Sequence, residues 1–142
     1  LVFYEFDTNW NCLKKKAIKI EGLTYVHDFI ATPNYYLVHM SPMVKINMEI
    51  YLKIYLGLSS FGDCMGLHDD LPSKFILIPR NSDSEVIEIP VELFHIYHYG
   101  FVKEEKDSMT LNAVCLPKDF NMKFDYKLWL SNTSVAPGKF YQ

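Results

Sequence analysis

A neutral imidazole binds transition metals and titrates near neutral pH, and this chain carries five of them, His27, His39, His68, His95 and His98. The run Tyr25-Val26-His27-Asp28-Phe29-Ile30-Ala31-Thr32-Pro33-Asn34-Tyr35-Tyr36 sets a histidine before an acid, an aromatic and a Thr-Pro-Asn turn. That is the pattern of a ligand-bearing strand running into a hairpin. His95 follows Phe94 in a second aromatic strand, 68 residues further on. The two imidazoles share a metal only where their hairpins converge.

The remaining polar groups read differently. His98 is offset by three from His95, which on a strand places it on the opposite face, so it is expected to be structural or at the surface. His39, shortly before a proline-containing turn, and His68, beside Asp69 and Asp70, are expected to face solvent. Asp28 suits a hydrogen bond near the site and equally a cap on the turn. Arg80, the one arginine, is expected to form a structural ion pair. Phe29, Thr32 and Phe94 suit the wall of an apolar tunnel and equally a packed core. No Ser-His-Asp arrangement and no glycine-rich phosphate loop is present. Cys12, Cys64 and Cys115 are odd in number and widely spaced, against a disulfide framework or a cysteine-based zinc site and in keeping with a reducing interior.

The elements that must position these groups are mostly short strands. Residues 1–7 alternate into an Asp7-Thr8-Asn9 turn and return over Lys14 to Ile20; Tyr25 to Ala31 and Tyr35 to Met40 form a second hairpin. Lys74 to Pro79 and Glu85 to Ile89 flank a polar turn; Phe94 to Phe101, Met109 to Leu116 and Asp125 to Leu130 complete the set, with a short edge strand around Asp63 to Leu67. Such spacing indicates a sandwich, barrel or propeller. Val44 to Leu58 alternates like a strand but is too long for one. On a helical wheel Ile46, Ile50, Ile54 and Leu58 form an i,i+4 ladder, and Glu49 is placed to pair with Lys53, so a helix is expected. It either packs on the domain or lies in a membrane interface.

A length of 142 residues suffices for one domain with its own core. Yet Leu1-Val2-Phe3-Tyr4 and Lys139-Phe140-Tyr141-Gln142 both look like cuts through strands, so residues 1–142 are expected to be one segment of a longer chain, truncated at both ends. Apolar residues make up 49% and aromatics 15%, which excludes disorder. A net charge of -3 with no basic stripe makes nucleic acid an unfavoured partner. The densest apolar stretch, Met43 to Phe61, is broken by Lys45, Asn47, Glu49 and Lys53 and does not read as a membrane span.

Three stretches, residues 24–36, residues 74–80 ending in Ile78-Pro79-Arg80, and Phe94-His95, in this order, resemble the carotenoid cleavage oxygenases. The likeness extends from Phe3-Tyr4-Glu5-Phe6-Asp7 to Pro137-Gly138-Lys139-Phe140-Tyr141-Gln142. The resemblance implies an all-β, antiparallel fold, here a partial seven-bladed β-propeller with one helical insertion. It also implies an Fe(II) ion held on the propeller axis by four histidines. His27 of the His-Asp-Phe motif and His95 of the Phe-His motif would be two of them. Such a site leaves open positions for O2, and the implied reaction is oxidative cleavage of a conjugated double bond in a carotenoid or apocarotenoid. Stilbene cleavage and retinoid isomerisation are the alternatives within the family. A metal-free remnant that binds an apolar ligand is the alternative from another class. The expected setting is cytoplasmic, with residues 44–58 as the peripheral membrane contact. The chain departs from the family after Phe94-His95, where His98-Tyr99-Gly100-Phe101 replaces Asn-Ala-aromatic-Glu. The other two iron histidines and the glutamates that orient the ligands lie outside this segment.

Overall fold

The computed structural model describes residues 1–20, 24–44, 47–64, 72–116 and 139–141. Nine strands form three antiparallel sheets among these residues. The first sheet pairs β1 (Val2–Phe6) with β2 (Cys12–Ala17). In the turn between them the Asp7 carboxylate accepts the backbone N–H groups of Asn9 and Asn11, each at 2.8 Å. The second sheet has the order β3 (Ile30–Ala31), β4 (Tyr35–Met40), β5 (Ser73–Pro79), β6 (Ile87–Val91). Pro90 lies in β6, the outer strand of this sheet among the described residues, the kind of position where a strand tolerates proline. The third sheet is β7 (His95–Glu104), β8 (Met109–Leu116) and β9 (Lys139–Tyr141).

β4 is the strand on which the packing turns. Its side chains alternate between two faces, and both faces are covered. Tyr36, Val38 and Met40 join Phe3, Ile76 and Ile78 in one core cluster, against which Leu1, Ile18, Ile20 and Val26 pack. His39 points the other way, onto Phe75 and Phe94, which border a second cluster of Ile96, Ala113 and Cys115. A strand covered on both faces places a polar residue as deeply as its apolar neighbours. The solvent position expected for His39 is therefore wrong: it is 3% exposed.

The helix is shorter than residues 44–58. Helix α1 spans Met48–Tyr55; Asn47 caps its start by accepting the Ile50 N–H at 2.8 Å. Its end is a Schellman motif, with Gly57 at φ 70°, Gly57 N–H donating to the Ile54 carbonyl at 3.0 Å and Leu58 N–H to the Lys53 carbonyl at 2.8 Å. The Glu49–Lys53 pair forms at 2.6 Å. No residue of α1 is buried. Ile50 and Ile54 are half-covered, whereas Met48, Tyr51, Leu52 and Tyr55, at i, i+3, i+4 and i+7, form an exposed apolar stripe. The outward apolar face is thus this stripe and not the isoleucine ladder. Residues Phe61–Cys64 form a 3-10 turn that takes in the first two residues of the edge strand expected over Asp63 to Leu67; the rest of that stretch, the strand expected over Asp125 to Leu130, and Lys45 and Ile46 lie outside the described residues. No described helix is long and apolar enough to cross a membrane.

Candidate metal centre

Three segments converge on the candidate site: residues 24–29, the end of β4 with Ser41, and the start of β7. Only Ile30–Ala31 of the expected strand Tyr25 to Ala31 pairs with β4, so His27 sits on irregular backbone before the hairpin. Side chains replace the ladder there. Asp28 accepts the Phe29 N–H at 2.8 Å and, with its other oxygen, the Tyr99 N–H of β7 at 3.0 Å. Thr24 donates its hydroxyl to the Ser41 carbonyl at 2.9 Å. Asp28 thereby acts both as the local cap and as the clamp between the His27 segment and the His95 strand.

His95 is 1% exposed. Its Nδ1 lies 2.7 Å from Ser41 Oγ, and its Nε2 is buried without a hydrogen-bond partner among the described residues. His27 is half-buried; its Nδ1 lies 3.2 Å from Tyr25 Oη, and its ring stacks on Tyr97 at 4.1 Å between centroids and 15° between planes. The Tyr25 ring neighbours both imidazoles, 5.8 Å from that of His27 and 6.0 Å from that of His95. Burial, with His27 nearby, pushes the His95 pKa down to about 4. His95 is therefore a neutral imidazole at physiological pH, the form that ligates metals.

A bulge shapes the other side. The β7–β8 register pairs Ile96 with Cys115 and His98 with Val114, leaving Tyr97 as the extra residue. Tyr97 is thereby aimed at His27, while His98 reaches the surface, edge-on to His27 at 5.0 Å and 3.9 Å from the Asp28 carboxylate. The surface position expected for His98 is the one it takes. His68 lies outside the described residues.

The other candidates serve structure. Arg80 bonds Glu5 through Nε at 2.9 Å and Nη2 at 2.8 Å, donates to the Thr32 carbonyl, and lies over the Tyr36 ring. Thr32 Oγ1 accepts the Tyr35 N–H at 3.0 Å and closes the turn. Phe29 is half-exposed and packs edge-on against Phe3. Phe94 does line a cavity, of about 340 Å³, together with Phe75, Ile96, Leu111 and Cys115, and it stacks on His39 at 4.5 Å. Both ring nitrogens of His39 lack partners among the described residues, and burial pushes its pKa down to about 3.

What the arrangement offers is two imidazoles, tethered at Nδ1 and gathered around Tyr25, one of them with a buried, unsatisfied Nε2. That orphaned nitrogen fits a metal ligand, since a buried polar atom is otherwise left at a cost. No group of three or more His, Cys, Asp or Glu side chains among the described residues closes a metal shell. The residues present fit part of a metal site. Sequence reading missed Tyr25 and Ser41, whose only signal is a hydroxyl two residues before His27 and one at the end of β4.

Comparison with known proteins agrees with this fold. The profile of the family described as retinal pigment epithelial membrane protein matches residues 1–140. Apocarotenoid-15,15'-oxygenase of Synechocystis sp. is 31% identical over 115 residues, 81% of this chain. The chain spans 22% of that enzyme's length. Cobalt-substituted Synechocystis ACO superposes with a TM-score of 0.78 at 28% identity, over 98% of this chain and 28% of its own. An ACO/RPE65 chimera superposes equally, with a TM-score of 0.78 at 28% identity over the same shares. These neighbours are β-propellers, and the antiparallel sheets described above are part of that fold.

Proposed function

The chain belongs to the retinal pigment epithelial membrane protein family, and from that premise we propose that the complete protein cleaves a conjugated double bond of a carotenoid or apocarotenoid with O2 at an Fe(II) site. In this reading the 142 residues are one segment of the propeller and supply His27 and His95 as two of the ligands. The observation that carries it is the unpartnered Nε2 of buried His95, whose ring shares the neighbour Tyr25 with His27. A relative of the same fold, Synechocystis ACO, takes a cobalt-substituted form, which supports a metal-binding protein. Bound iron would supply O2 activation. The chain's own part is to hold neutral imidazoles in place, which burial of His95 ensures, and to keep water from that side through Tyr25 and Tyr97. Stilbene cleavage, which differs in substrate, and retinoid isomerisation, which differs also in reaction, would use the same ligands.

The test is metal content beside turnover in the complete protein. His27→Ala and His95→Ala should each lose iron and cleavage of a carotenoid or apocarotenoid, while exposed His98→Ala keeps both. Full iron and full turnover in His27→Ala would refute the ligand assignment. Absence of iron from the unaltered protein, together with retained polyene binding, would favour a metal-free ligand binder instead.

A second reading concerns location. The exposed stripe Met48, Tyr51, Leu52 and Tyr55 on α1 supports a protein that rests on a membrane surface, where a lipid-soluble polyene would be collected.

A further inference from the structure

Consecutive residues of a regular strand point to opposite faces of the sheet. Tyr97 and His98 nonetheless both reach the His27 ring: Tyr97 stacks on its face, 4.1 Å between centroids and 15° between planes, and His98 stands edge-on to it at 5.0 Å. The bulge in β7 makes this possible, because Tyr97 is its extra residue and a bulge re-aims the side chains around it. We infer that Tyr97 is a positioning residue, which fixes the plane of the His27 imidazole through its ring face, so that the imidazole meets the metal in one orientation. The inference rests on the metal reading above.

Three further observations support it. His27 sits on irregular backbone outside the strands, so no sheet ladder fixes its side chain and contacts from other segments must do so. Tyr97 lies two residues after His95, so one stretch of β7 carries one candidate ligand and braces the other. Tyr97 and His98 also meet edge-on at 4.7 Å, and the Asp28 carboxylate accepts the Tyr99 N–H at 3.0 Å, which holds the His27 segment against that same stretch. Both imidazole nitrogens lie in the ring plane. A contact on the face therefore leaves them to the metal and to the acceptor that orients the ligand, and it restricts the tilt that an in-plane bond leaves free.

The experiment uses the complete protein with Tyr97→Leu, which keeps an apolar side chain but removes the aromatic face, and Tyr97→Phe, which keeps the face. Each is titrated with Fe(II) and with Co(II), whose visible spectrum reports ligand geometry. Tyr97→Leu is expected to weaken metal affinity about 2–10-fold, the worth of one aromatic stack, and to alter the Co(II) spectrum; Tyr97→Phe should restore both. Unchanged Co(II) affinity and spectrum in Tyr97→Leu would overturn the inference while leaving the metal reading intact, and so would a Tyr97→Phe variant as impaired as Tyr97→Leu. A second measurement does not depend on any variant folding. In the metal-free protein the ring current of a stacked Tyr97 should move the His27 ring protons upfield in the NMR spectrum, and ring protons at ordinary positions refute the stack. Uptake of neither metal by the unaltered protein would instead sink the iron reading, and the positioning role with it.

Discussion

Asp28 accepts the backbone N–H of Tyr99 at 3.0 Å, and through that bond an irregular segment is held against a strand far away in sequence. The bond matters because His27 lies beside Asp28, and Tyr97, on which His27 stacks, lies two residues before Tyr99. Asp28→Ala should therefore cost about 1–2 kcal/mol, the loss of a charge-assisted hydrogen bond at a partly exposed site. It should also weaken metal uptake, whereas Asp28→Asn, which keeps an acceptor oxygen, is milder. Urea unfolding and metal titration of the complete protein check both; equal effects of the two substitutions would show that the acceptor is not what counts.

Arg80 links three elements through Glu5, the Thr32 carbonyl and the Tyr36 ring. Tyr36 and Arg80 together hold the Glu5 carboxyl below its usual range, the Tyr36 hydroxyl bond being the larger cause. Arg80→Met keeps the aliphatic stem but leaves Glu5 with only the more distant Lys14, at 4.0 Å, as its cation, and should cost about 1–3 kcal/mol. Arg80→Lys should recover only part, since one ammonium cannot form the two-point bond. The midpoints of chemical denaturation decide the order.

His39 predicts a pH dependence. Its pKa in the folded chain, about 3, lies below the ordinary 6.5, so between these values the unfolded chain binds a proton that the folded one excludes. Stability is then greatest above about pH 6.5 and falls as the pH drops, by up to about 1.4 kcal/mol per pH unit. His39→Phe, which preserves the stacking on Phe94, should flatten that slope in part, with the remainder due to buried His95. Denaturation midpoints at pH 5 and pH 7.5 give the comparison; an unchanged slope would mean that His39 is protonated in the folded state.

For the membrane contact, Leu52→Asp and Tyr55→Asp together should release the complete protein from phosphatidylcholine liposomes in a flotation assay. Both side chains are exposed, so the melting temperature should hardly move. Unfolding of this variant would show that the stripe packs on protein.

One face of β1 presents Val2, Tyr4 and Phe6 to solvent, and Leu13 is exposed on β2. An apolar sheet face of this size needs a cover. The 142-residue chain alone is accordingly expected to self-associate in light scattering and to hold iron only weakly, with two imidazoles in place of a full ligand set. A monodisperse fragment with stoichiometric, chelator-resistant iron would contradict this.

Local rules made much of the molecule legible from the residues alone. Tyr35 to Met40 and Met109 to Leu116 are strands with the boundaries expected from their flanking turns. The ion pair of Arg80 and the pairing of Glu49 with Lys53 followed from charge and spacing. Asn47 and Gly57 carried the true limits of α1, because a side-chain acceptor and a residue free to take positive φ end helices by local chemistry. The longer apolar pattern concealed them. The motifs around His27 and His95 carried the likeness to the family, since such motifs are contiguous in sequence.

Tertiary structure alone decided the rest. Whether His39 meets water depends on a second layer covering β4, and alternation within one strand carries no information about what lies beyond it. The extra residue at Tyr97 appears only in the register against β8, which is why an offset of three could not place His98 beside His27. Ser41 and Tyr25 acquire their meaning from imidazoles that folding brings to within hydrogen-bond reach of them. A hydroxyl in a sequence has many potential partners, and long-range packing selects the one it keeps.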